Sequence, residues 1–454
     1  MSHSQLTIPN SPFTIPPALP GPNGWEMLRM VRGLRDNPLP HLQQAQQQYG
    51  DVVRLPVGRR QMVLVSDPEL VKHILQDNNR NYTKRGEQIQ AKTVVGNGLL
   101  ASEGEFWRRQ RRLAQPAFHR QRIAAFGEVM VDETVQLLAG WQHGRQLDIA
   151  QEMMNLTLSI VTRTLFSATL DTAEMATVAS AMPYLLRHTR PRIVRPRALR
   201  WRLPLPNNRT YWRHVAALDE IIYRLIAERR RTAADHPDLL GLLLAARDEE
   251  TGEGMSDQQL RDEAMTIFLA GHETTANLLA WAWVVLGQQA AVRQRVREEV
   301  TTVLGGRLPT TADVPALSYT NQVIQEVLRL YPPAWIIMRT ATADDQLGDY
   351  HLSAGTSVLI SPYLLHHHPH LWHNPTSFDP ERPRPAHKFA FLPFGAGPRI
   401  CIGNQFALME ATLIMATIIQ QYDLHLVPNH PIELETAITL RPKHGVRVVL
   451  SAEC

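Results

Sequence analysis

One cysteine in a glycine-rich loop, followed at once by a long apolar-periodic segment, constrains this chain more than any other feature. The stretch is Phe391–Glu410, FLPFGAGPRICIGNQFALME. Gly395, Gly397 and Gly403 permit tight turns and let backbone approach a flat ligand closely. Beyond Cys401, residues Phe406, Ala407, Met409, Leu413, Ile414 and Ile418 recur at helical spacing, which predicts a helix reaching to near Gln421. A sulfur at a helix N-terminus faces unpaired N–H groups and the positive end of the helix dipole, both of which favour the thiolate. That is a seat for a soft metal. A lone cysteine can equally be a buried thiol that only fills space.

The loop, written Phe394-x-x-Gly397-x-Arg399-x-Cys401-x-Gly403, resembles the haem-thiolate signature of the cytochrome P450 family, soluble bacterial type. The resemblance covers roughly residue 38 to the C-terminus. It implies that Cys401 is the axial ligand of a haem b iron, pushing electron density onto the metal to favour O–O cleavage. Phe394, Arg399 and Gly403 then belong to the cofactor-binding set. It implies a mainly α fold with a small β-rich part and haem between a long central helix and the cysteine-loop helix. Residues 1–37 read as an extended lead-in, with the stiff PPALPGP of Pro16–Pro22, and 38–454 as one haem domain.

Composition limits the alternatives. No linker, charge block or repeat divides the 454 residues, and 44% hydrophobic with 20% charged content fits a large soluble globular protein. Two cysteines, one of them the last residue, exclude a disulfide framework and suit a reducing, cytoplasmic setting. A net charge of +4 gives no argument for nucleic acid. The N-terminal MSHSQLTIPNSPF lacks the basic and apolar regions of a secretory signal. The apolar runs Asn277–Gly287 and Ala411–Ile419 fall short of the ~18 residues that span a bilayer, so no transmembrane anchor is expected.

In chain order, Pro40–Tyr49 reads as helix, Val52–Pro56 with Met62–Ser66 as a hairpin about Gly58-Arg59-Arg60, and Pro68–Gln76 as a short helix. Asp77–Gly104 reads as a long loop, which the resemblance places over the substrate pocket. Phe106–Phe118 is a basic helix with Trp107 and Arg111 on one face. The pair resembles the family's Trp-x-x-x-Arg element, implying that both hold a haem propionate. Arg108, Arg109 and Arg112 are expected to stay solvated and meet an acidic electron donor. Gln121–Phe166, Ala173–Leu186 and Tyr211–Ala234 read as further helices. Seven arginines lie between Arg187 and Arg202, a lid segment by resemblance. Capture of a substrate carboxylate, peripheral docking on an anionic membrane and plain solvation all remain open for it.

Ser256 and Gln259 form a capping box opening a helix through Leu286. Its middle, Ala270-Gly271-His272-Glu273-Thr274-Thr275, has a glycine that costs about 1 kcal/mol relative to Ala and so needs a packing or ligand reason. The string resembles the family's oxygen-activation motif, implying Glu273 and Thr274 as a catalytic acid–alcohol proton relay. Glu326 and Arg329, with Arg382 of FDPERP, resemble the family's structural Glu-x-x-Arg and third-arginine network, though Pro383 stands where the family usually has Phe. Arg339, on the strand Trp335–Thr342, resembles a second propionate clamp. The cluster His366, His367, His368, His370 and His373 lacks regular spacing and reads as a polar loop rather than a metal site.

The resemblance implies a monooxygenase that places one atom of O2 in a small lipophilic substrate, such as a fatty acid, terpene or steroid. Leu99, Phe268, Ala270, Ala334, Trp335, Ile336, Ile337 and Leu440 are the expected pocket residues, with Val94 and Val95 beside them. Only 53 residues follow Cys401, so NAD(P)H-derived electrons are expected from a separate ferredoxin or flavodoxin and its reductase, serving a monomer. A hydroperoxide-using peroxygenase or isomerase and a non-enzymatic haem sensor are the competing readings.

Overall fold

The computed structural model describes residues 17–55, 61–84, 92, 94–166, 170–194, 205–232 and 238–452. The central helix, Asp257–Gln288, starts at the expected capping box: Ser256 N–H donates to Gln259 Oε1 at 2.8 Å, and Gln259 N–H to Ser256 Oγ at 3.3 Å. At 1.5 Å per residue it runs about 48 Å through the molecule. It is buried over most of its length, with polar side chains in its first half and an apolar second half in which Trp281 and Trp283 are fully enclosed. The helix Ile149–Phe166 crosses it at Gly271, where an added Cβ would stand 3.1 Å from Val161 Cγ2. Close helix packing therefore accounts for the glycine. The cysteine helix, Asn404–Ile419, packs on the central helix, on Gly127–Ala139 and on Ser318–Leu330, all within one hydrophobic core.

The β-rich part is assembled from both ends of the chain. Val52–Leu55 pairs antiparallel with Met62–Val65 as expected; the turn between them, including Gly58-Arg59-Arg60, lies outside the described residues. Met62–Val65 then pairs in parallel with Ser357–Ile360, which pairs with Ile337–Ala341, and Tyr82–Thr83 closes the five-stranded sheet. Four readings need correction. The expected extended lead-in, residues 1–37, contains the helix Gly24–Asp36, whose Met30 and Leu34 pack on the core around Leu39 and Val53. Gln146–Asp148 is a strand against Arg447–Val449, inside a stretch read as helix, because its partner comes from the far end of the chain. The basic helix ends at Ala114, and Pro116 turns Gln115–Phe118 into a 3-10 segment. The long loop contains the strand Tyr82–Thr83. Of the arginine-rich segment, residues 195–202 lie outside the described residues. No helix among the described residues is long and apolar enough to cross a membrane.

Arg329, on Ser318–Leu330, is fully buried, and its five N–H donors all find acceptors. Nε and Nη2 fork onto Glu326 at 2.9 and 2.7 Å. The rest reach the carbonyls of His366, Pro375 and Ser377 at 2.8, 2.7 and 3.0 Å. Arg382 Nε joins at Glu326 Oε1, 3.2 Å away. His366 extends the network and is no part of a polar loop: it is buried, its Nδ1 lies 3.1 Å from Arg329 O, and its Nε2 accepts Leu392 N–H at 2.8 Å. The Glu326 helix is thereby tied to the segment that enters the cysteine loop.

Two predictions follow from this packing. Arg329→Ala strips Glu326 of its two shortest donor contacts and takes the Arg329 donor from the buried His366 and Pro375 carbonyls, so it should cost about 3–5 kcal/mol in chemical denaturation. Burial holds His366 well below 6.5 and His272 and His367 at about 4. The unfolded chain therefore takes up these protons first as the pH falls. These histidines should contribute fully above pH 6.5 and less below it, by up to ~1.4 kcal/mol per pH unit each. The buried carboxyls of Glu263 and Glu410, raised to about 8, act in the opposite sense. The histidine part is read as the change that His272→Gln makes in the difference between denaturation midpoints at pH 7 and pH 5.

Candidate active site

Between the central helix and the cysteine loop lies a cavity of about 530 Å³. Its floor is the loop. Cys401 N–H donates to Phe394 O at 2.9 Å, which closes a tight ring of backbone around the sulfur. Gly397 makes the ring possible: its φ is +66°, and a Cβ would stand 1.9 Å from Leu75 O. The sulfur opens into the cavity while protein surrounds it, and burial raises its thiol above the ordinary value. The Gly403 N–H and the Arg111 guanidinium pull the other way. A metal cation above the sulfur would reverse the balance and favour the thiolate outright.

The roof is one stripe of the central helix. Ala270 and Thr274, four residues apart, share a face and line the cavity, and Thr274 Oγ1 donates to Ala270 O at 2.7 Å. Glu273 is one position round and turns away. Its carboxylate accepts the Thr439 hydroxyl at 2.8 Å, and Asn277 Nδ2 donates to the same hydroxyl oxygen at 3.0 Å. Burial raises the Glu273 carboxyl above the usual carboxylate range. Thr439 has no local signal in the sequence, since it lies 166 positions from the acid it touches.

At one side of the floor stand Arg339, Arg399 and Lys84. Arg399 donates to Ser102 O at 2.8 Å and Glu103 at 2.6 Å, and its guanidinium lies 3.8 Å above the Trp107 ring. Lys84, which the sequence reading missed, donates to Leu100 O at 2.9 Å. Burial lowers all three cations, Arg399 to about 10 and Lys84 to about 7, with mutual repulsion adding to the effect on those two. Among the described residues the carboxylate that opposes them is Glu103. Three cations against one anion is an excess that suits a dianionic ligand. The two propionates of a haem would supply it, above a sulfur placed for its iron. The residues present fit the group.

The structure separates the expected pocket residues. Leu99, Ala270, Ala334, Ile336 and Ile337 line the cavity. Phe268 does not: two residues from Ala270 on the helix, it points to the opposite face and packs on Phe166. Trp335 lies in a separate core with Leu440, and its indole donates to Ala437 O at 3.3 Å. Val94 and Val95 are buried in the loop rather than at the wall. Arg111 donates to Ile400 O at 2.9 Å, beside the cysteine, so it braces the loop. The arginines expected to be solvated are all paired: Arg108 with Glu105, Arg109 with Glu253, and Arg112 with Asp248 and Glu250.

A family model described as Cytochrome P450 matches residues 16–448. The chain is 41% identical over 399 residues to cyclooctatin synthase of Streptomyces melanosporofaciens, covering 86% of this chain and 87% of that protein. It is 41% identical over 385 residues to cyclooctat-9-en-7-ol 5-monooxygenase of the same organism, covering 84% of each. With pentalenene oxygenase of Streptomyces avermitilis it shares 33% over 436 residues, 95% of each. A crystal structure of the cytochrome P450DA heme domain superposes with a TM-score of 0.87 at 28% identity, over 96% of this chain and 98% of that one.

Gly397→Ala should add about 1–3 kcal/mol of backbone strain before any clash with Leu75 O. The expected outcome is a folded protein with a large loss of haem per chain, measured by Soret absorbance against protein concentration.

Proposed function

Because this chain belongs to the cytochrome P450 family and is a haem-thiolate monooxygenase with a lipophilic substrate, we propose that its substrate is a polycyclic terpene hydrocarbon or alcohol. The supporting observation is the cavity: apolar side chains make its upper wall, and Arg339, Arg399 and Lys84 sit at floor level. In this reading those cations hold the propionates of haem b, so among the described residues they are not free to bind a fatty-acid carboxylate. A rigid hydrocarbon skeleton against Leu99, Ile336 and Ile337 needs no polar partner beyond one or two hydroxyl contacts. Two relatives carry terpene names, which points the same way.

Haem iron, when bound, supplies the binding and reductive activation of O2. The protein's own part begins with Cys401, which would hold the iron as thiolate, with Phe394 lining the same floor and the Gly403 N–H directed at the sulfur. Trp107 sits under Arg399 and keeps that cation pointed at the floor. Thr274 presents a hydroxyl on the cavity wall that faces the cysteine loop. Glu273, whose affinity for a proton burial raises, sits behind the helix on the Thr439 hydroxyl and can pass a proton to the wall through side-chain movement or water. Water exclusion comes from the apolar wall. Reducing equivalents come from a separate ferredoxin or flavodoxin and its NAD(P)H-dependent reductase, with the enzyme a cytoplasmic monomer. The paired state of Arg108, Arg109 and Arg112 argues against those three as the donor's docking charges.

Three measurements test this reading. Cys401→Ala should abolish the red-shifted carbon monoxide band of the reduced protein. Thr274→Ala should keep electron consumption while product per electron falls severalfold or more; intact coupling would overturn the relay and favour a hydroperoxide-using enzyme. Cyclooctat-9-en-7-ol and pentalenene should produce a substrate spin shift that lauric acid does not.

A further inference from the structure

The turn 96–100 bears Leu99 and Leu100, which form one wall of the cavity, and two carboxylates of the central helix grip its backbone. Asn97 N–H donates to Asp262 Oδ2 at 2.7 Å, and Leu99 N–H donates to Glu263 Oε2 at 3.0 Å. Asp262 and Glu263 are 5% and 1% exposed, so neither is an incidental surface group. The fit between turn and helix leaves no slack. Gly96 has φ +55°, and a Cβ there would stand 1.9 Å from Asp262 Oδ1. A Cβ on Gly98 would stand 2.2 Å from Thr266 Oγ1.

The two grips differ in their surroundings. Asp262 is held by Gln258 Nε2 at 2.9 Å and Arg261 Nη1 at 3.0 Å, and Arg261 also pairs with Asp219 on the helix Pro206–Thr232. Glu263 has no cation among its described influences: burial pushes its carboxyl up to about 8, the Leu99 N–H lowers it, and Asp262 raises it further. A buried carboxyl without a cation is costly to ionise, so its hydrogen bond to the turn is its main polar anchor. What it touches is the one backbone N–H next to the side chain at the wall.

We infer that Asp262 and Glu263 act as a paired latch on the 96–100 turn, and that Glu263, through the Leu99 N–H, is a positioning residue that sets the shape of the substrate wall. This rests on the reading of the cavity as the haem and substrate chamber. Asp262 fixes where the turn meets the helix. Glu263 fixes how far Leu99 stands into the chamber, and so discriminates between substrates without touching them.

The test uses the haem-loaded protein and two azoles followed by the Soret shift. Imidazole reads the iron alone, whereas 4-phenylimidazole also presses on the wall. Glu263→Ala should weaken 4-phenylimidazole about tenfold, the upper end of what one hydrogen bond contributes, and leave imidazole within about twofold. Glu263→Gln keeps an acceptor oxygen and should recover most of the loss. Equal affinities of wild type and Glu263→Ala for both azoles would overturn the latch. Amide exchange gives a second readout that needs no variant: in the wild type the Asn97 and Leu99 amides should exchange far more slowly than free loop amides, and free exchange would overturn it even if the variants fail to take up haem. A wild type that binds neither azole would instead overturn the haem reading beneath the proposal.

Discussion

A single buried guanidinium organises much of this molecule. Arg329 cannot lose its charge and cannot reach water, so the chain must bring it a carboxylate and three carbonyls from segments far apart in sequence. Satisfying it fixes where residues 366–377 run. Through His366 and Leu392 it also fixes where the cysteine loop begins. Pairs of this kind are poor stabilisers when compared with apolar packing, because desolvation offsets most of the attraction. Their value here lies in geometry: few arrangements of backbone satisfy five donors at once.

The cysteine loop shows the opposite condition, an electrostatic imbalance that the polypeptide leaves open. Burial disfavours the thiolate of Cys401, and three cations crowd one side of the floor against Glu103. Each of these is unfavourable by itself. Together they describe the charge pattern of the missing partner, cationic above the sulfur and dianionic at the edge. The fold around the site is thus complementary to a holo state, and binding and folding free energy are linked.

Local chemistry carried the sequence reading furthest. The Ser256 capping box, the helical spacing after Cys401 and the hairpin strands at Val52 and Met62 all depend on neighbours within a few residues, and the structure contains them. Positions that depend on rotation about a helix or on distant strands were not legible. Phe268 and Ala270 stand two residues apart on one helix, yet about 200° of helical turn separates them, and only Ala270 reaches the cavity. Glu273 beside Thr274 reads as a pair, but the acid answers to Thr439. Lys84 gave no sign of its place because it stands alone in a loop, and its role comes from Arg339 and Arg399 arriving beside it. Arg109 and Arg112 show the same limit: their partners at 248–253 could not be read from the basic helix.

The parallel pairing of Met62–Val65 with Ser357–Ile360 has a consequence for how the chain is made. An emerging polypeptide can close the Val52–Met62 hairpin within microseconds, but the strand that completes its sheet is still about 300 residues from translation. At the pace of a ribosome that interval is about 15–60 s, during which an apolar β edge stays open. The newborn chain must keep that edge from pairing with other chains until its own late strand arrives.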